Sequence, residues 1–376
     1  MKVKAAILEE IGRPGPYAET RPLTVEEIDL EGPREGEVLI KVVAAGLCHS
    51  DLSVINGDRP RQVPMVLGHE SAGVIQEVGP GVTRFAPGDH AITVFVPSCG
   101  HCGPCRAGRP ALCEPGAASN GKGEMIGGGT RFSRNGDAVY HMTGVGCFAE
   151  YVTVSQNSLV KVDKDVPLDV AAVMGCAVLT GAGAVFNTGD VTPGCSTAVV
   201  GLGGVGLSAV MAARAAGADK IVAVDILPEK LKIAKELGAT HTIDSSQPGA
   251  LEKLRELTSG GVDAALDFTG NVHALGFAYN ATRRGGATVT AGLPNPAAKL
   301  EIPAVTLTAE ERVLKGSYLG SGIPSRDIPR FLALFGQGRM PVDRLMTHKI
   351  ALDDINEGFD RLHSGEAIRQ VIDMDL

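Results

Sequence analysis

The chain opens on "MKVKAAILEE", whose apolar positions Val3, Ala5, Ala6, Ile7 and Leu8 stop at Glu9 and Glu10. That is too short for the hydrophobic core of a signal peptide, and it predicts a first strand. The longest apolar run, "TAVVGLGGVGLSAVMAARAAGA" over 197–218, has the length of a membrane span, but glycines and Arg214 interrupt it. It divides instead into a buried parallel strand, a glycine turn and an Ala-rich helix, followed by a second strand ending at Asp225. Strand-like segments at 239–244, 262–270, 286–293 and 312–320 come next. Helical stretches lie between several of them, as a doubly wound sheet requires.

Composition narrows the picture. At 376 residues the chain exceeds what one hydrophobic core usually holds, so two domains are expected. A 44% apolar content with 21% charged residues and no low-complexity tract reads as globular throughout. The net charge of −8 and the lack of any basic run exclude nucleic acid and an anionic membrane as partners. The expected location is the cytoplasm, where thiols stay reduced, so clustered cysteines point to metal rather than to disulfides.

Four of the eight cysteines crowd into "CGHCGPCRAGRPALC". Cys99, Cys102, Cys105 and Cys113 are spaced C-x2-C-x2-C-x7-C, with glycines and prolines between them that let a short chain wrap around one ion. Four thiolates close the shell of a zinc ion and leave no position for water or substrate, so this zinc is structural. Three other stretches, "AAGLCHSD", "MVLGHESAGVI" and "VMGCAVLTG", offer Cys48, His69 and Cys176. Two thiolates and one imidazole make a three-ligand zinc site with its fourth position open. Cys147, Cys195, His90, His101 and His141 read as ordinary structural residues.

The glycine turn in the apolar run fits G-x-G-x-x-G, with Gly201, Gly203 and Gly206 flanking Leu202, Gly204 and Val205. The first glycine makes the tight turn, the second admits a pyrophosphate and the third packs helix on sheet, with the pyrophosphate at the helix N-terminus. Asp225, nineteen residues after Gly206, is placed to accept hydrogen bonds from an adenosine ribose and to repel a 2′-phosphate. That favours NAD over NADP.

"GHESAGVIQEVGPGV" resembles the zinc signature of the medium-chain alcohol dehydrogenases. The order Cys48, His69, four-cysteine lobe, Cys176 and glycine turn is also theirs, and the likeness runs to "INEGFDRLHSGEAIRQV". The resemblance implies an α/β chain. A GroES-like, mostly-β catalytic domain would span 1–177 and 321–376, and a Rossmann NAD-binding domain 178–320. It implies that zinc on Cys48, His69 and Cys176 polarises an alcohol oxygen while hydride passes to the nicotinamide. By the same likeness Glu70 lies near that zinc, Ser50 takes the alcohol's proton and Asp51 orients the histidine. Lys230 contacts the adenosine ribose, Arg369 the pyrophosphate and Leu293 the cofactor, while Phe95 lines the substrate pocket.

Two positions depart from the family's common pattern. His49 stands where many members carry an arginine facing the pyrophosphate, which implies weaker cofactor binding. Ser53 stands where many carry a histidine that relays the proton outward, which leaves water or His49 for that task. The glycine-rich stretch between Cys113 and Cys147 implies the liver-like and thiol-adduct branches and a mobile loop at the substrate entrance, with Met125, Ile126, Phe132 and Met142 as its apolar surface. The leading reading is an NAD-dependent zinc dehydrogenase of primary aromatic or medium-chain alcohols. The alternatives are a dehydrogenase of S-(hydroxymethyl) thiol adducts, with Asp58, Arg59 and Arg61 near the thiol, and a catalytically silent relative. The family's sheet edge at 307–320 implies a homodimer, with a homotetramer also open.

Overall fold

In the computed structural model, which describes Met1–Leu376 throughout, the opening apolar residues form the strand Lys2–Leu8. It pairs antiparallel with Leu23–Leu30 and closes a small barrel with Phe132–Arg134, Asp137–His141 and Met65–Val66. A seven-stranded sheet lies in the same packing unit. Its centre is Glu37–Gly46, which pairs with Ser71–Val78, Tyr151–Ser155 and Arg369–Asp373. That central strand is buried along almost its whole length, which is why "EVLIKVVAAG" reads as a continuous apolar run rather than an alternating one. Ile7, Ile28, Ile40, Leu47, Phe132, Phe148 and Phe359 fill the core, each contributing roughly 1.5–3 kcal/mol by burial. The strand His90–Thr93 extends the sheet beyond Ser71–Val78, and the Glu37–Gly46 strand delivers the chain to Cys48.

The glycine-rich segment is not the mobile loop its composition implied. Residues 114–122 are helical, and Phe132–Arg134 and Asp137–His141 form a hairpin that completes the barrel wall. Met125, Phe132 and Met142 are buried in the core instead of lining an entrance, and Ile126 is half-buried. Gly136 takes a left-handed conformation at the hairpin turn, and Gly123 does so at the helix end, so these glycines build turns rather than slack. The His141 ring locks the hairpin: its Nε2 accepts from Arg131 N at 3.0 Å, and its Nδ1–H donates to Val145 O at 3.1 Å. Arg131 in turn forms a buried ion pair with Glu37 on the central strand.

The second packing unit holds a six-stranded, all-parallel sheet. In chain order its strands run 3-2-1-4-5-6: His241–Asp244, Lys220–Asp225, Ser196–Val200, Val262–Asp267, Thr282–Thr290 and Val313–Gly316. The helices Gly204–Ala216, Pro228–Leu237 and Val272–Ala281 connect them. This is the doubly wound arrangement, with the strand order reversing between Ser196–Val200 and Val262–Asp267. The run at 197–218 is the first strand and helix of this unit, as its pattern predicts.

Packing groups Met1–Cys176, Ile323–Pro329 and Met346–Leu376 into the β-rich unit, and Ala177–Gly322 with Arg330–Leu345 into the parallel-sheet unit. Part of 321–376 therefore departs from its expected domain. Phe331 stacks on Phe186, Arg339 donates to Ala215 O, and Arg344 pairs with Glu236. One helix, Leu168–Thr188, is long and apolar enough to cross a membrane, but 89% of its most apolar stretch is buried within the fold, as befits a core helix.

Candidate active site

The site begins where the central strand ends. Cys48 caps the helix His49–Ile55 in a reciprocal box: its side chain takes the Asp51 N–H, and its own N–H donates to Asp51 Oδ2 at 3.2 Å. The other carboxylate oxygen, Asp51 Oδ1, accepts from Gly68 N at 3.1 Å and lies 3.1 Å from His69 Nδ1. Gly68 sits at φ +90°, and a side chain there would collide with the Phe148 ring and backbone, so the turn into His69 requires glycine. Asp51 is fully buried and clamps two candidate ligands with one side chain. It also directs the imidazole's Nε2 towards Cys176 Sγ, 3.5 Å away.

Cys48, His69 and Cys176 present their donor atoms within 4.8 Å of one another, all three side chains buried. The Cys176 thiol bonds to Cys48 and holds the Cys48 thiol well below its ordinary range against the effect of burial, with His69 adding to the shift. Cys176 moves the other way, raised by that bond and by burial. Burial opposes a proton on His69, yet Asp51 and Cys48 carry it well above the usual imidazole range. Two thiols and an imidazole meeting in a dry pocket, one thiol already held towards its thiolate form, suit a divalent cation, and two sulfurs with one imidazole suit zinc.

Glu70 follows His69 and is also wholly buried, with neither carboxylate oxygen in a hydrogen bond. Burial pushes it up to about 7, Arg369 lowers it and Cys48 raises it. Arg369 Nη1 lies 3.5 Å from Glu70 Oε1 and donates to Leu47 O at 2.8 Å. The structure thus finds the guanidinium that the resemblance assigned to a pyrophosphate beside Glu70, next to the candidate ligands, a pairing the sequence does not disclose because 299 positions separate the partners. Phe95 sets its ring edge-on to His69, centroids 5.3 Å apart. Ser50 is half-buried in the first turn of the Cys48-capped helix and His49 is exposed beside it. Ser53 donates to the His49 carbonyl at 2.9 Å, a bond within the helix.

The other cysteine group is nearer the surface. The sulfurs of Cys99, Cys102, Cys105 and Cys113 all lie within 4.8 Å of one another, and a tetrahedral shell with bonds of about 2.3 Å needs sulfur–sulfur edges of about 3.8 Å. Main-chain N–H groups already aim at the sulfurs: Cys102 N to Cys99 Sγ at 3.3 Å, with Cys99 N and Gly116 N to Cys113 Sγ at 3.2 and 3.4 Å. Those from His101 and Cys102 help lower the Cys99 thiol to about 7. The donor set fits one closed zinc shell. None of the eight cysteines is in a disulfide.

In the parallel-sheet unit, Gly201 turns the chain at φ +87° off the first strand, where a side chain would strike Thr269. Gly206 packs against the Gly201 carbonyl, while a side chain on Gly203 would meet nothing within 4 Å. That open face lies at the N-terminus of the thirteen-residue helix beginning Gly204-Val205, the place where a phosphate is held by backbone N–H groups. Asp225 closes the neighbouring strand. Its carboxylate accepts from Leu202 N at 2.7 Å, Ile226 N at 2.8 Å and Leu227 N at 3.0 Å. Lys230 is half-buried in the first turn of the next helix, and Leu293 is 50% exposed beyond the Thr282–Thr290 strand.

Comparison with known proteins agrees with this geometry. Residues 34–164 match the alcohol dehydrogenase GroES-like domain, and 204–337 match the zinc-binding dehydrogenase domain. The chain is 43% identical over 376 residues to an NDMA-dependent alcohol dehydrogenase of Amycolatopsis methanolica, covering 99% of each chain. It is 37% identical over 382 residues to an S-(hydroxymethyl)glutathione dehydrogenase of Paracoccus denitrificans, covering 99% of this chain and all of that one. Among solved structures, benzyl alcohol dehydrogenase of Acinetobacter calcoaceticus superposes with a TM-score of 0.92 at 34% identity, covering 99% of both chains.

Proposed function

This chain belongs to the zinc-dependent medium-chain alcohol dehydrogenase family and is an oxidoreductase, and we propose that it exchanges hydride between NAD and primary alcohols or aldehydes of aromatic or medium chain length. The observation that carries this reading is the convergence of Cys48, His69 and Cys176 on one buried point, with Phe95 edge-on to the imidazole. When bound there, zinc supplies Lewis acidity towards an alcohol oxygen, and NAD on the glycine turn supplies the hydride acceptor. The protein's residues do the rest. Asp51 fixes the imidazole's tautomer and orientation, and Ser50, two residues from Cys48, accepts the alcohol's proton. Phe95 gives the pocket an apolar wall, matching an aromatic or alkyl substituent. Glu70, buried beside His69 and paired with Arg369, would place a carboxyl group next to the cation.

Gly201, Gly203, Gly204, Val205 and Gly206 cradle the pyrophosphate in this reading. Asp225 and Lys230 hold the adenosine ribose, and Leu293 packs on the cofactor. His49, exposed at the start of its helix, and water carry the proton onward, since Ser53 is committed to its own helix. The four-cysteine lobe holds the second, structural zinc. Val305, Leu307, Val313 and Leu314 are exposed on and beside the last strand of the parallel sheet, an unpaired edge that supports a homodimer; a homotetramer is the larger assembly to test. Eight cysteines, none of them in a disulfide, support a cytoplasmic location.

The 37% identity to an S-(hydroxymethyl)glutathione dehydrogenase keeps a second reading in view, in which the alcohol is the adduct of formaldehyde with a low-molecular-weight thiol. One assay separates the two. Purified protein is mixed with NAD, and NADH absorbance is followed with ethanol to octanol, benzyl alcohol, and formaldehyde with and without glutathione or mycothiol. A parallel series uses NDMA as acceptor, with and without added NAD, because one relative is named for it. Turnover of free alcohols supports the leading reading; turnover only with formaldehyde and a thiol together supports the second.

A further inference from the structure

The three metal ligands arrive on separate elements, and two residues outside the ligand set join two of those elements. Thr93 ends the strand His90–Thr93. Its hydroxyl accepts from Ser71 N at 3.0 Å, lies 2.9 Å from Ser71 Oγ, and donates to Ser71 O at 3.3 Å. With Ser71 Oγ as donor, these contacts use one hydrogen and two lone pairs, the whole capacity of a hydroxyl. Both residues are 1% exposed. Ser71 opens the strand Ser71–Val78 two positions after His69, so Thr93 holds the strand start into which the turn bearing the imidazole runs. Behind it, the Glu70 N–H reaches the buried Cys147 thiol.

The carbonyl of the same threonine faces the third ligand's element. A Cβ placed on Gly175 would press into Thr93 O and lie 3.0 Å from Ile92 Cγ2. Gly175 precedes Cys176, and both lie in the π turn Met174–Val178, which interrupts the α-helical winding on either side. An extra residue in one turn rotates the helix beyond it, and such turns recur where a side chain must be aimed. The helix backbone thus rests on Thr93 O at a separation that only glycine permits.

We propose that Thr93 and Gly175 are positioning residues for the Cys48–His69–Cys176 metal centre. The Thr93 hydroxyl sets the start of the Ser71–Val78 strand, two residues after His69, and so the turn that presents His69. Its carbonyl, through the close approach at Gly175, sets the turn that presents Cys176, so imidazole and thiolate reach a common point. This rests on the metal-site reading above, and the test keeps the two apart.

Zinc per chain is measured for the wild type, Thr93→Val, Thr93→Ser and Gly175→Ala, and the rate of zinc release to a colorimetric chelator is followed. The visible spectrum of the cobalt(II)-substituted proteins reports the ligand geometry directly. Thr93→Val keeps the shape and loses the hydroxyl. It and Gly175→Ala should keep one zinc as firmly as the wild type, release the other at least about tenfold faster, and shift the cobalt bands. Thr93→Ser should restore both readings. Release rates and cobalt spectra unchanged in Thr93→Val and Gly175→Ala overturn the positioning role. If Gly175→Ala does not fold, the Thr93→Val and Thr93→Ser pair decides alone. A wild type that binds a single zinc overturns the site reading itself, whatever the variants do.

Discussion

Asp51 Oδ1 lies 3.1 Å from His69 Nδ1, and the same carboxylate receives the backbone N–H groups of Cys48 and Gly68. Three donors on one buried carboxylate leave little room for a substitute. Asn is nearly isosteric, but its single oxygen accepts at most two of them and its amide group faces donors. Asp51→Asn should lower the affinity of the open zinc site about 10–100-fold and leave the four-cysteine zinc unchanged. A competition titration against a chelator of known strength measures both sites. Equal affinity in variant and wild type would count against Asp51 as the orienting group.

The Glu70–Arg369 pair makes a different prediction, about the fold rather than the metal. Both side chains are at most 5% exposed, and the pair is 3.5 Å apart. Arg369→Leu removes the only cation paired with a carboxylate that burial already raises to about 7, and it also strips a donor from Leu47 O. Breaking one side of such a pair should cost about 3–5 kcal/mol, and the double variant Arg369→Leu/Glu70→Gln should regain part of it. Urea unfolding of the three proteins gives the comparison; a single variant as stable as the wild type would show the pair to be dispensable.

How legible each feature is in the sequence depends on where its signal lies along the chain. The strand–turn–helix around Gly201 is encoded within 30 residues, and the four-cysteine lobe within 15, so local spacing suffices for both. The family likeness then orders Cys48, His69 and Cys176. Thr93 on Ser71, Arg131 on Glu37 and Arg369 on Glu70 are different. Each pairing exists only once strands from distant parts of the chain are in register, and no local pattern marks those residues. The misreading of 114–147 has a related cause: many glycines are equally the mark of a flexible loop and of a tight hairpin, and only the buried partners of Phe132 and His141 tell the two apart.

His141 supplies a pH dependence. Buried between Arg131 N and Val145 O and stacked on Phe132 at 4.6 Å, it must stay neutral to accept from Arg131. Burial lowers it to about 4 from the ordinary 6.5, with the Val145 carbonyl opposing and Arg131 adding to the shift. A depressed folded-state value means that the unfolded chain takes up the proton first. The associated stability is therefore complete above pH ~6.5 and is lost as pH falls towards 4, a change on the order of 3 kcal/mol. His141→Gln, able to keep one acceptor and one donor, should be less stable at pH 7.5 yet show a shallower decline between pH 6.5 and 4. Parallel slopes for the two proteins in that window, measured by chemical denaturation, would remove His141 as the source.

Cofactor choice is the last expectation, and the structure changes its form. A small residue at 225 would remove the charge that repels a 2′-phosphate, so relaxed selectivity for NADP is the simple outcome. The Asp225 carboxylate, however, also accepts from Leu202 N inside the glycine turn and from Ile226 N and Leu227 N beyond the strand, so it shapes the glycine turn itself. Asp225→Gly should therefore lose at least about tenfold in kcat/KM with NAD, the equivalent of one strong hydrogen bond to a charged group, and gain far less with NADP. Asp225→Asn, which keeps an oxygen for Leu202 N and discards the charge, should show the larger NADP to NAD ratio of the two. Steady-state kcat/KM for both cofactors, beside thermal unfolding of each variant, tests this ordering. If Asp225→Gly proves the better NADP enzyme and unfolds at the wild-type temperature, the carboxylate's hold on the glycine turn is not what limits it.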